Sequence, residues 1–449
     1  MALFIALPLL LAGYAVLIWK GPWWVDGAHL RTQDLQPADG VVITGFRTTL
    51  VALGAGAIAV VGVYYTHRSF RQAEKLFSHT REKDREQADI TREGQVTERY
   101  VEAIKLLASD NRTQRLGGLY SLERIMRDSE KDYDTVIEVI SAFIREETAK
   151  LAPSTEPTEE GPVGLREDTQ AAITIIGRRI ERPEQRPINL RHVNLGGAEL
   201  PEARLTNISL SMANLKGAIL HQADLSEVDL READLSHANC NGAKLVEARL
   251  LSAQLDGTHF IEARMRGARL LDARGDHPCM AKADLTAANL RGAKLTGADF
   301  REARLDKASL FDARLPNASF FGASLRGANL WHTDVENSGL ILAKLQGADL
   351  WGASLIGSDL REANLEGANL ASAKLVGVNL DQAVLKDAYL FEADLSEITR
   401  CTVEQLLTAL IFRSTILPPE FAEDKRIQQR QDACQAVKDE SHGDGKKHE

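Results

Sequence analysis

Cysteine is scarce in this chain of 449 residues, and its four copies lie far apart. They are Cys240, Cys279, Cys401 and Cys434. Their separations match neither a zinc-ligand pair nor a redox CxxC motif. We therefore interpret them as reduced, buried or incidental thiols, and we predict no metal site.

Catalytic signatures are absent as well. The sequence holds no Walker phosphate loop, no glycine-rich dinucleotide turn, no HExxH pair and no GxSxG elbow. Aromatic residues make up only 6% of the chain, and the net charge of −10 is modest. The sequence therefore predicts a protein that is not an enzyme and that has no catalytic residues and no cofactor.

What the chain does have is a period of five. A central position recurs at every fifth residue from Leu190 to Leu395, and it is Leu in 34 of 42 pentads. Two residues earlier, 32 of the 42 pentads have Ala. The exceptions at the central position are Cys240, Phe260, Met265, Gly275, Met280, Phe300, Phe320 and Val335. Nearly half of the chain is therefore one repeat array.

Neither regular secondary structure accommodates this period. Five residues turn an α-helix by about 500°, so successive leucines would scatter around it. On a flat strand an odd period would send successive leucines to opposite faces. A chain that runs briefly extended and then turns a corner keeps Ala and Leu on the inside. The pattern predicts a β-solenoid whose filled interior leaves no cavity for a substrate.

The repeats resemble those of the pentapeptide-repeat family, whose pattern is close to Ala-(Asp/Asn)-Leu-X-X. Residues 328–330 and 368–370 both read Ala-Asn-Leu, and residues 298–300 read Ala-Asp-Phe. The resemblance implies a right-handed quadrilateral parallel β-helix over residues 188–397, with four pentads per coil and about ten coils. At about 4.8 Å per coil, such a rod would be roughly 50 Å long.

Two uncharged stretches near the N-terminus predict membrane helices. Residues 2–19 and 48–65 are each 18 residues without a charge, which is about the length that spans a bilayer. A cleaved signal peptide is the alternative for the first stretch, but no basic residue precedes it. We predict a transmembrane hairpin over residues 1–65 in the inner (cytoplasmic) membrane of a bacterium. Basic residues cluster after residue 65, so the bulk of the chain is predicted to be cytoplasmic.

The other segments are predicted from charge and apolar spacing. Residues 66–98 predict a charged juxtamembrane helix, and residues 99–182 predict a helical module with a linker at 151–164. Residues 95–100 read Gln-Val-Thr-Glu-Arg-Tyr, and residues 115–125 read Arg-Leu-Gly-Gly-Leu-Tyr-Ser-Leu-Glu-Arg-Ile. They resemble a helical module found between membrane helices and pentapeptide repeats in many bacterial proteins. Residues 398–420 predict a C-terminal helical cap that begins with a capping box. Residues 421–449 predict a charged, frayed tail. The predicted fold class is therefore α plus β-solenoid.

A coil of twenty residues predicts columns of outward side chains. One column holds large apolar residues and is interrupted by Arg291 and Ala371. Its members are Leu251, Leu271, Phe311, Trp331, Trp351 and Phe391. Exposed apolar columns indicate a contact surface for a protein partner or for self-association. The alternative is that the rings only stack on one another and stabilise the rod.

A second column is basic. Arg274, Lys294 and Arg314 are predicted to stack on three successive coils about 5 Å apart. Like charges at that distance repel unless Asp272 and Asp312 neutralise them or an anionic partner binds. Both interpretations remain open.

Two local predictions concern the regularity of the array. Six acid-Ala-Arg sequences predict surface ion pairs around the corners. They are Glu202/Arg204, Glu247/Arg249, Glu262/Arg264, Asp272/Arg274, Glu302/Arg304 and Asp312/Arg314. Residues 275–280 break the Ala-Leu pattern, and we predict a bulge or loop there.

These features favour a membrane-anchored scaffold or adaptor that presents the rod to an unknown protein partner. Two alternatives are a signalling protein that acts through a recruited partner and a DNA mimic that binds topoisomerases, an activity known for some pentapeptide-repeat proteins. A DNA mimic needs a nearly continuous acidic surface. Residues 188–400 hold 28 acids and 23 bases, and residues 241–330 hold 10 acids and 14 bases. This charge distribution argues against nucleic-acid mimicry and against nucleic-acid binding.

Overall fold

The computed structural model describes residues 2–26, 30, 36–150, 165–184 and 186–443. The chain divides into two compact units, Met1–Gln95 and Val96–Glu449. The predicted linker at 151–164 lies outside the described residues.

Helix α1 and the greater part of helix α2 lie in the first unit, and both helices are longer than predicted. Helix α1 covers Ala2–Val25, and α2 covers Pro37–Leu107. The predicted second membrane helix, the juxtamembrane helix and the start of the helical module are thus one helix of 71 residues. No proline interrupts that sequence after Pro37, so nothing in it breaks the backbone hydrogen bonding. By length and composition, α2 is apolar enough to cross a membrane.

Helices α1 and α2 contact each other in antiparallel directions. The Tyr14 hydroxyl donates to the carbonyl oxygen of Leu50. Arg47 lies opposite the end of α1, where its Nε donates to the carbonyl oxygen of Ile18 over 3.2 Å. Gly54 makes room for the Tyr14 ring, because a Cβ at position 54 would overlap that ring.

Three further helices form the module, namely α3 (Arg112–Asp128), α4 (Tyr133–Ala149) and α5 (Glu167–Gly177). The side chain of Asn111 caps α3 by accepting from the N–H groups of its first turn. Gly118 allows α3 to approach α2, since a Cβ there would lie 2.7 Å from the carbonyl oxygen of Ala103. The last turns of α2 therefore belong to the module.

The array pairs with itself at an offset of twenty residues. Its strands are very short: β1 (Ile188–Asn189), β2 (Ile208–Ser209), β3 (Arg274–Asp276) and β4 (Lys294–Thr296). Parallel pairing joins β1 to β2 and β3 to β4, and single bridges continue the same offset to Thr399. The central leucines and the alanines are buried, and Phe300 stacks on Phe320 with ring centroids 5.0 Å apart. The prediction of a filled interior is confirmed for these positions.

Each corner is a tight turn with one residue in the left-handed conformation. The N–H of Ala198 donates to the carbonyl oxygen of Leu195 over 3.0 Å, and Gly197 between them has φ 69°. This geometry is that of a type II turn, which favours glycine at its third position. The side chain before each leucine often closes the corner, as when Asn214 Oδ1 accepts from the N–H of Lys216 over 3.0 Å. The Asp and Asn of the repeat pattern therefore have a structural role that the sequence alone did not reveal.

A matched pair of substitutions tests the turn geometry. Gly367 has φ 64° with open space around it, and Ala287 has φ 58°. The left-handed conformation costs an L-residue about 1–2 kcal/mol. Replacing Gly by Ala also lowers the conformational entropy of the unfolded chain, which favours folding and offsets part of this cost. We expect Gly367→Ala to lower the free energy of unfolding by about 0.5–1 kcal/mol and Ala287→Gly to raise it by a similar amount. Urea unfolding followed by circular dichroism measures both, and destabilisation by Ala287→Gly would contradict the expectation.

The predicted bulge at residues 275–280 is wrong. The twenty-residue register continues through it, with Gly275 paired to Leu295 and Cys279 paired to Asp299. Pro278 occupies the position that is alanine in most repeats. The N–H of that alanine donates within the turn and makes no hydrogen bond to another coil, and proline lacks only this N–H. The proline therefore removes one turn bond and leaves the ladder intact.

The C-terminal cap is built on the last coil. Helix α6 (Val403–Thr408) begins with the predicted capping box between Thr402 and Gln405. The chain then returns to the ladder at Leu410 and Ile416, which pair at offsets of 21 and 22 residues. Helix α7 covers Pro419–Ala422.

The prediction of a frayed tail from residue 421 is wrong as far as residue 443. Helix α8 covers Lys425–Gly443 and contacts α6. Ile427 and Cys434 are buried on its inner side, and the burial of these apolar groups fixes a segment that its charge alone would leave in solvent.

Candidate contact surface on the array

The apolar column predicted from the sequence lies along one corner of the array. Trp331 and Trp351 follow each other on successive coils, with ring centroids 5.5 Å apart. They remain 39% and 38% exposed. His332 lies edge-on to Trp351, with ring centroids 4.6 Å apart. Gly352 makes room for the His332 ring, because a Cβ at position 352 would lie 2.8 Å from its Nδ1. Arg291 covers Phe311, with its guanidinium carbon 4.9 Å from the ring centroid. The rings thus contact one another in tilted and edge-on arrangements, and the two tryptophans also face solvent.

The two ends of the column are less exposed. Leu251 and Leu271 are half-buried, and Ala371 is buried. Phe391 contacts Phe412 of the cap edge-on at 5.5 Å, and Lys438 of α8 lies over its ring. The large apolar side chains that are most exposed are therefore Trp331 and Trp351. We name the five positions of the column that surround them the aromatic corner. Its members are Arg291, Phe311, Trp331, Trp351 and Ala371.

The basic column is also aligned. Arg274 pairs with Lys294, and Lys294 pairs with Arg314, each at an offset of one coil. All three side chains are exposed. Within the described part of the chain, no carboxylate lies within 4.0 Å of their charged nitrogens. Asp272 and Asp312 line the same surface depression as Lys294 and Arg314 without pairing to them. Asp272 and Asp312 therefore do not neutralise the basic column through direct ion pairs.

The six predicted acid-Ala-Arg ion pairs do not form. The acid occupies the left-handed turn position, and in none of the six sequences does it lie within 4.0 Å of the charged nitrogens of the arginine. Arginine instead pairs across the inward leucine, as in Asp229-Leu230-Arg231, where both guanidinium contacts are shorter than 2.9 Å. The Arg231 hydrogen bond lowers the pKa of Asp229, and the same arrangement with Arg361 lowers the pKa of Asp359. Alternation along an extended strand explains why these pairs meet.

Side chains of the helical module close the first coil in a way that no sequence motif indicated. The amide of Gln170 accepts from the N–H of Glu199 over 3.0 Å and donates to its carbonyl oxygen over 2.7 Å. It thereby replaces the peptide group of a preceding coil. The N–H of Arg204 donates to the carbonyl oxygen of Gly177, at the end of α5, over 2.7 Å.

Arg179 closes the adjoining edge. Its side chain is buried and donates to the carbonyl oxygens of Arg204 and Thr206, each over 2.7 Å. Its Nε donates to the buried carboxylate of Glu184 over 2.6 Å. An open strand edge is a template for pairing with other chains, so these contacts protect the rod end.

Comparison with known proteins identifies the class of this repeat array. A family model of pentapeptide repeats matches eight times. The matches cover residues 188–226, 213–250, 223–260, 233–272, 283–322, 303–340, 343–382 and 368–398. The chain belongs to the pentapeptide-repeat family, whose repeats form a right-handed β-helix.

Solved structures of similar proteins include HetL from the cyanobacterium Nostoc sp. strain PCC 7120, a protein involved in heterocyst differentiation regulation. It is 31% identical, and the match covers 48% of this chain and 91% of HetL with a TM-score of 0.30. A thylakoid lumen protein of Arabidopsis thaliana is 35% identical over 22% of this chain and 70% of its own, with a TM-score of 0.22. QnrB1, a plasmid-mediated fluoroquinolone resistance protein, is 16% identical over 39% of this chain and 94% of its own, with a TM-score of 0.20. No curated protein sequence matches the chain.

Proposed function

We propose that the protein is a non-enzymatic scaffold or adaptor, anchored in a membrane, which presents its β-helix to a protein partner. The observation that carries this proposal is the aromatic corner, where two tryptophans remain more than a third exposed on a rod with a packed interior. Tryptophan and arginine dominate the binding energy of protein interfaces, and both occur here side by side. The basic column beside the corner offers contacts to acidic groups of such a partner.

The membrane anchor is supported by the exposure of apolar side chains in the first unit. Leu53, Ile58 and Val60 of α2 are at least 65% exposed, and Leu9 and Trp24 of α1 are exposed to a similar degree. Apolar surface of this extent needs a covering of lipid or protein. We propose two membrane-spanning segments in the inner membrane, with the array in the cytoplasm.

The anchor is tested by resistance to alkaline extraction from membranes. Ile58→Arg places a charge in the proposed span, at a cost of about 2.5–3.5 kcal/mol for insertion. We expect a larger share of this variant than of the unchanged chain to be extracted, because only the other proposed span would still hold it, with Thr66→Arg at the boundary as the control. Extraction of the unchanged chain would remove the anchor from the proposal.

Partner binding is tested by replacing both tryptophans with serine. We expect Trp331→Ser/Trp351→Ser to abolish proximity labelling of the main neighbour in the native cell. Thermal stability should change little, because exposed cross-strand aromatic pairs contribute only about 0.2–1 kcal/mol. Phe321→Ser is the matched control, since Phe321 is 42% exposed at the opposite corner of the coil. Loss of thermal stability with unchanged labelling would show that the rings only stabilise the rod.

The alternative of a topoisomerase-binding DNA mimic has less support. The acidic residues concentrate in 331–397, with 11 acids and 4 bases, but the basic column interrupts the acidic surface before it. Strong inhibition of supercoiling by gyrase in the presence of the purified chain would reverse this ranking. A signalling role through a recruited partner uses the same aromatic corner and is included in the proximity-labelling experiment.

A further inference from the structure

The column that contains the aromatic corner has aromatic or apolar residues at matching distances on either side of Trp331, except for one unlike pair. One coil away on either side are two aromatic rings, Phe311 and Trp351. Two coils away, the long Arg291 stands opposite the short, buried Ala371. Three coils away are two apolar groups, Leu271 and Phe391.

Two copies of this column complement each other when the rods pack antiparallel and not when they pack parallel. A two-fold axis through Trp331 places residue i of one copy on residue j of the other whenever i and j are equally far from position 331. Phe311 then meets Trp351, and Arg291 extends over the space above Ala371. In a parallel pair every residue would meet its own copy, which brings Arg291 against Arg291 and leaves a gap at Ala371.

The charges beside the corner favour the same direction. The basic column continues along the rod as Asp334, Ser354, Lys374 and Asp394. An antiparallel pair brings Arg274 toward Asp394 and Arg314 toward Ser354 and Asp334. Three approaches of like charge oppose it, namely Lys294 with Lys374, Asp272 with Glu392, and Asp334 with its own copy. A parallel pair would instead set all three bases of one copy against the same three of the other, which is the less favourable arrangement.

We propose that the aromatic corner is the interface between two copies of this chain, packed side by side with antiparallel rods. This inference rests on the proposed function, because it names the partner of the same surface. Since Lys438 covers Phe391, the contact centres on the five positions from Arg291 to Ala371, about 19 Å along the rod. Trp331 lies on the two-fold axis and contacts its own copy.

Cysteine cross-linking of the full chain in its native membrane tests the geometry. The background carries Cys279→Ser and Cys401→Ser, because Cys240 and Cys434 are buried. Single variants Trp331→Cys, Arg291→Cys and Ala371→Cys are treated with a short bismaleimide. We expect a cross-linked dimer from Trp331→Cys alone, and about tenfold less from the other two alone, since their like positions lie four coils, about 19 Å, apart.

Co-expression provides the decisive combination. Chains with Arg291→Cys and chains with Ala371→Cys should cross-link to each other as efficiently as Trp331→Cys links to itself. Phe321→Cys at the opposite corner is the negative control. Each variant is exposed or replaces a small group, and an unchanged thermal midpoint shows that it folds.

Two results would overturn the inference. Equal self-linking at positions 291, 331 and 371 would show a parallel pair. Absence of cross-links at every position in folded chains would show that the corner does not contact a second copy. In that second case, proximity labelling that still depends on Trp331 and Trp351 would leave the scaffold proposal standing with a different partner. Loss of both signals would remove both proposals.

Discussion

Arg179→Met is expected to lower the free energy of unfolding by about 3–5 kcal/mol, the largest loss that we anticipate from a single change outside the array. The substitution keeps the length of the side chain but removes every donor. Glu184 would then remain buried without its charged partner, although Asn207 would still donate to it. The carbonyl oxygens of Arg204 and Thr206 would lose the hydrogen bonds from Arg179. Removing one member of a buried ion pair is costly because the other charge stays desolvated.

Arg249→Met is the matched control for this prediction. Arg249 is exposed on the array, and its side chain makes no ion pair within 4.0 Å in the described part of the chain. We expect a change within about 0.5 kcal/mol there. Urea unfolding of the full chain in detergent, followed by circular dichroism, compares the two. A loss below about 1 kcal/mol for Arg179→Met would mean that solvent replaces its contacts.

The same substitution should also increase association between rods. With Arg179 absent, part of the first coil presents unpaired carbonyl oxygens, and open strand edges recruit other chains. We expect larger species in size-exclusion chromatography at temperatures below unfolding. Gln170→Leu should act in the same direction with a smaller effect, because the amide of Gln170 is neutral and partly exposed.

The contacts between the helical module and the first coil could not be predicted from the sequence. The interior of the array follows from the period alone, since a leucine every five residues suits neither a helix nor a flat strand. By contrast, Gln170 and Glu199 are 29 residues apart and share no motif. Their contact depends on how α5 lies on the first coil, which is a property of the assembled backbone. The sequence therefore predicts that the rod needs a cap and does not predict which side chains form it.

For the outward side chains of the array, too, the sequence predicts some features and not others. The alignment of the aromatic and basic columns follows from the twenty-residue coil, so the sequence predicts which residues are neighbours. It does not predict which of them pair, because pairing depends on the backbone conformation at each corner, where one residue is left-handed. Glu247 illustrates this, since it lies 4.0 Å from Arg269 on the next coil and forms no ion pair with Arg249. Corner dihedral angles thus decide the ion pairs.

Gly275→Leu is expected to destabilise the array strongly, although it restores the residue found at the same position in 34 of 42 pentads. A Cβ at Gly275 would lie 2.5 Å from the carbonyl carbon of Leu255 and 2.7 Å from the N–H nitrogen of Asp256. Both are backbone atoms of the preceding coil, and they cannot move aside as a flexible side chain would. We expect a loss of at least about 3 kcal/mol, at the upper end of what overpacking costs in a core.

Two further substitutions separate backbone overlap from side-chain volume. Gly275→Ala adds only the Cβ, so it should account for most of the loss if the overlap with Leu255 is the cause. Met280→Leu introduces the consensus residue at a neighbouring central position with nearly the same volume, and such exchanges usually cost less than about 1.5 kcal/mol. Because the ladder links each coil to the next, local disruption at Gly275 should spread to both neighbouring coils and lower the unfolding midpoint of the whole array. A consensus variant at least as stable as the original chain would instead mean that β3 shifts outward at little cost, and that the register through residues 275–280 holds without the close approach of the two coils.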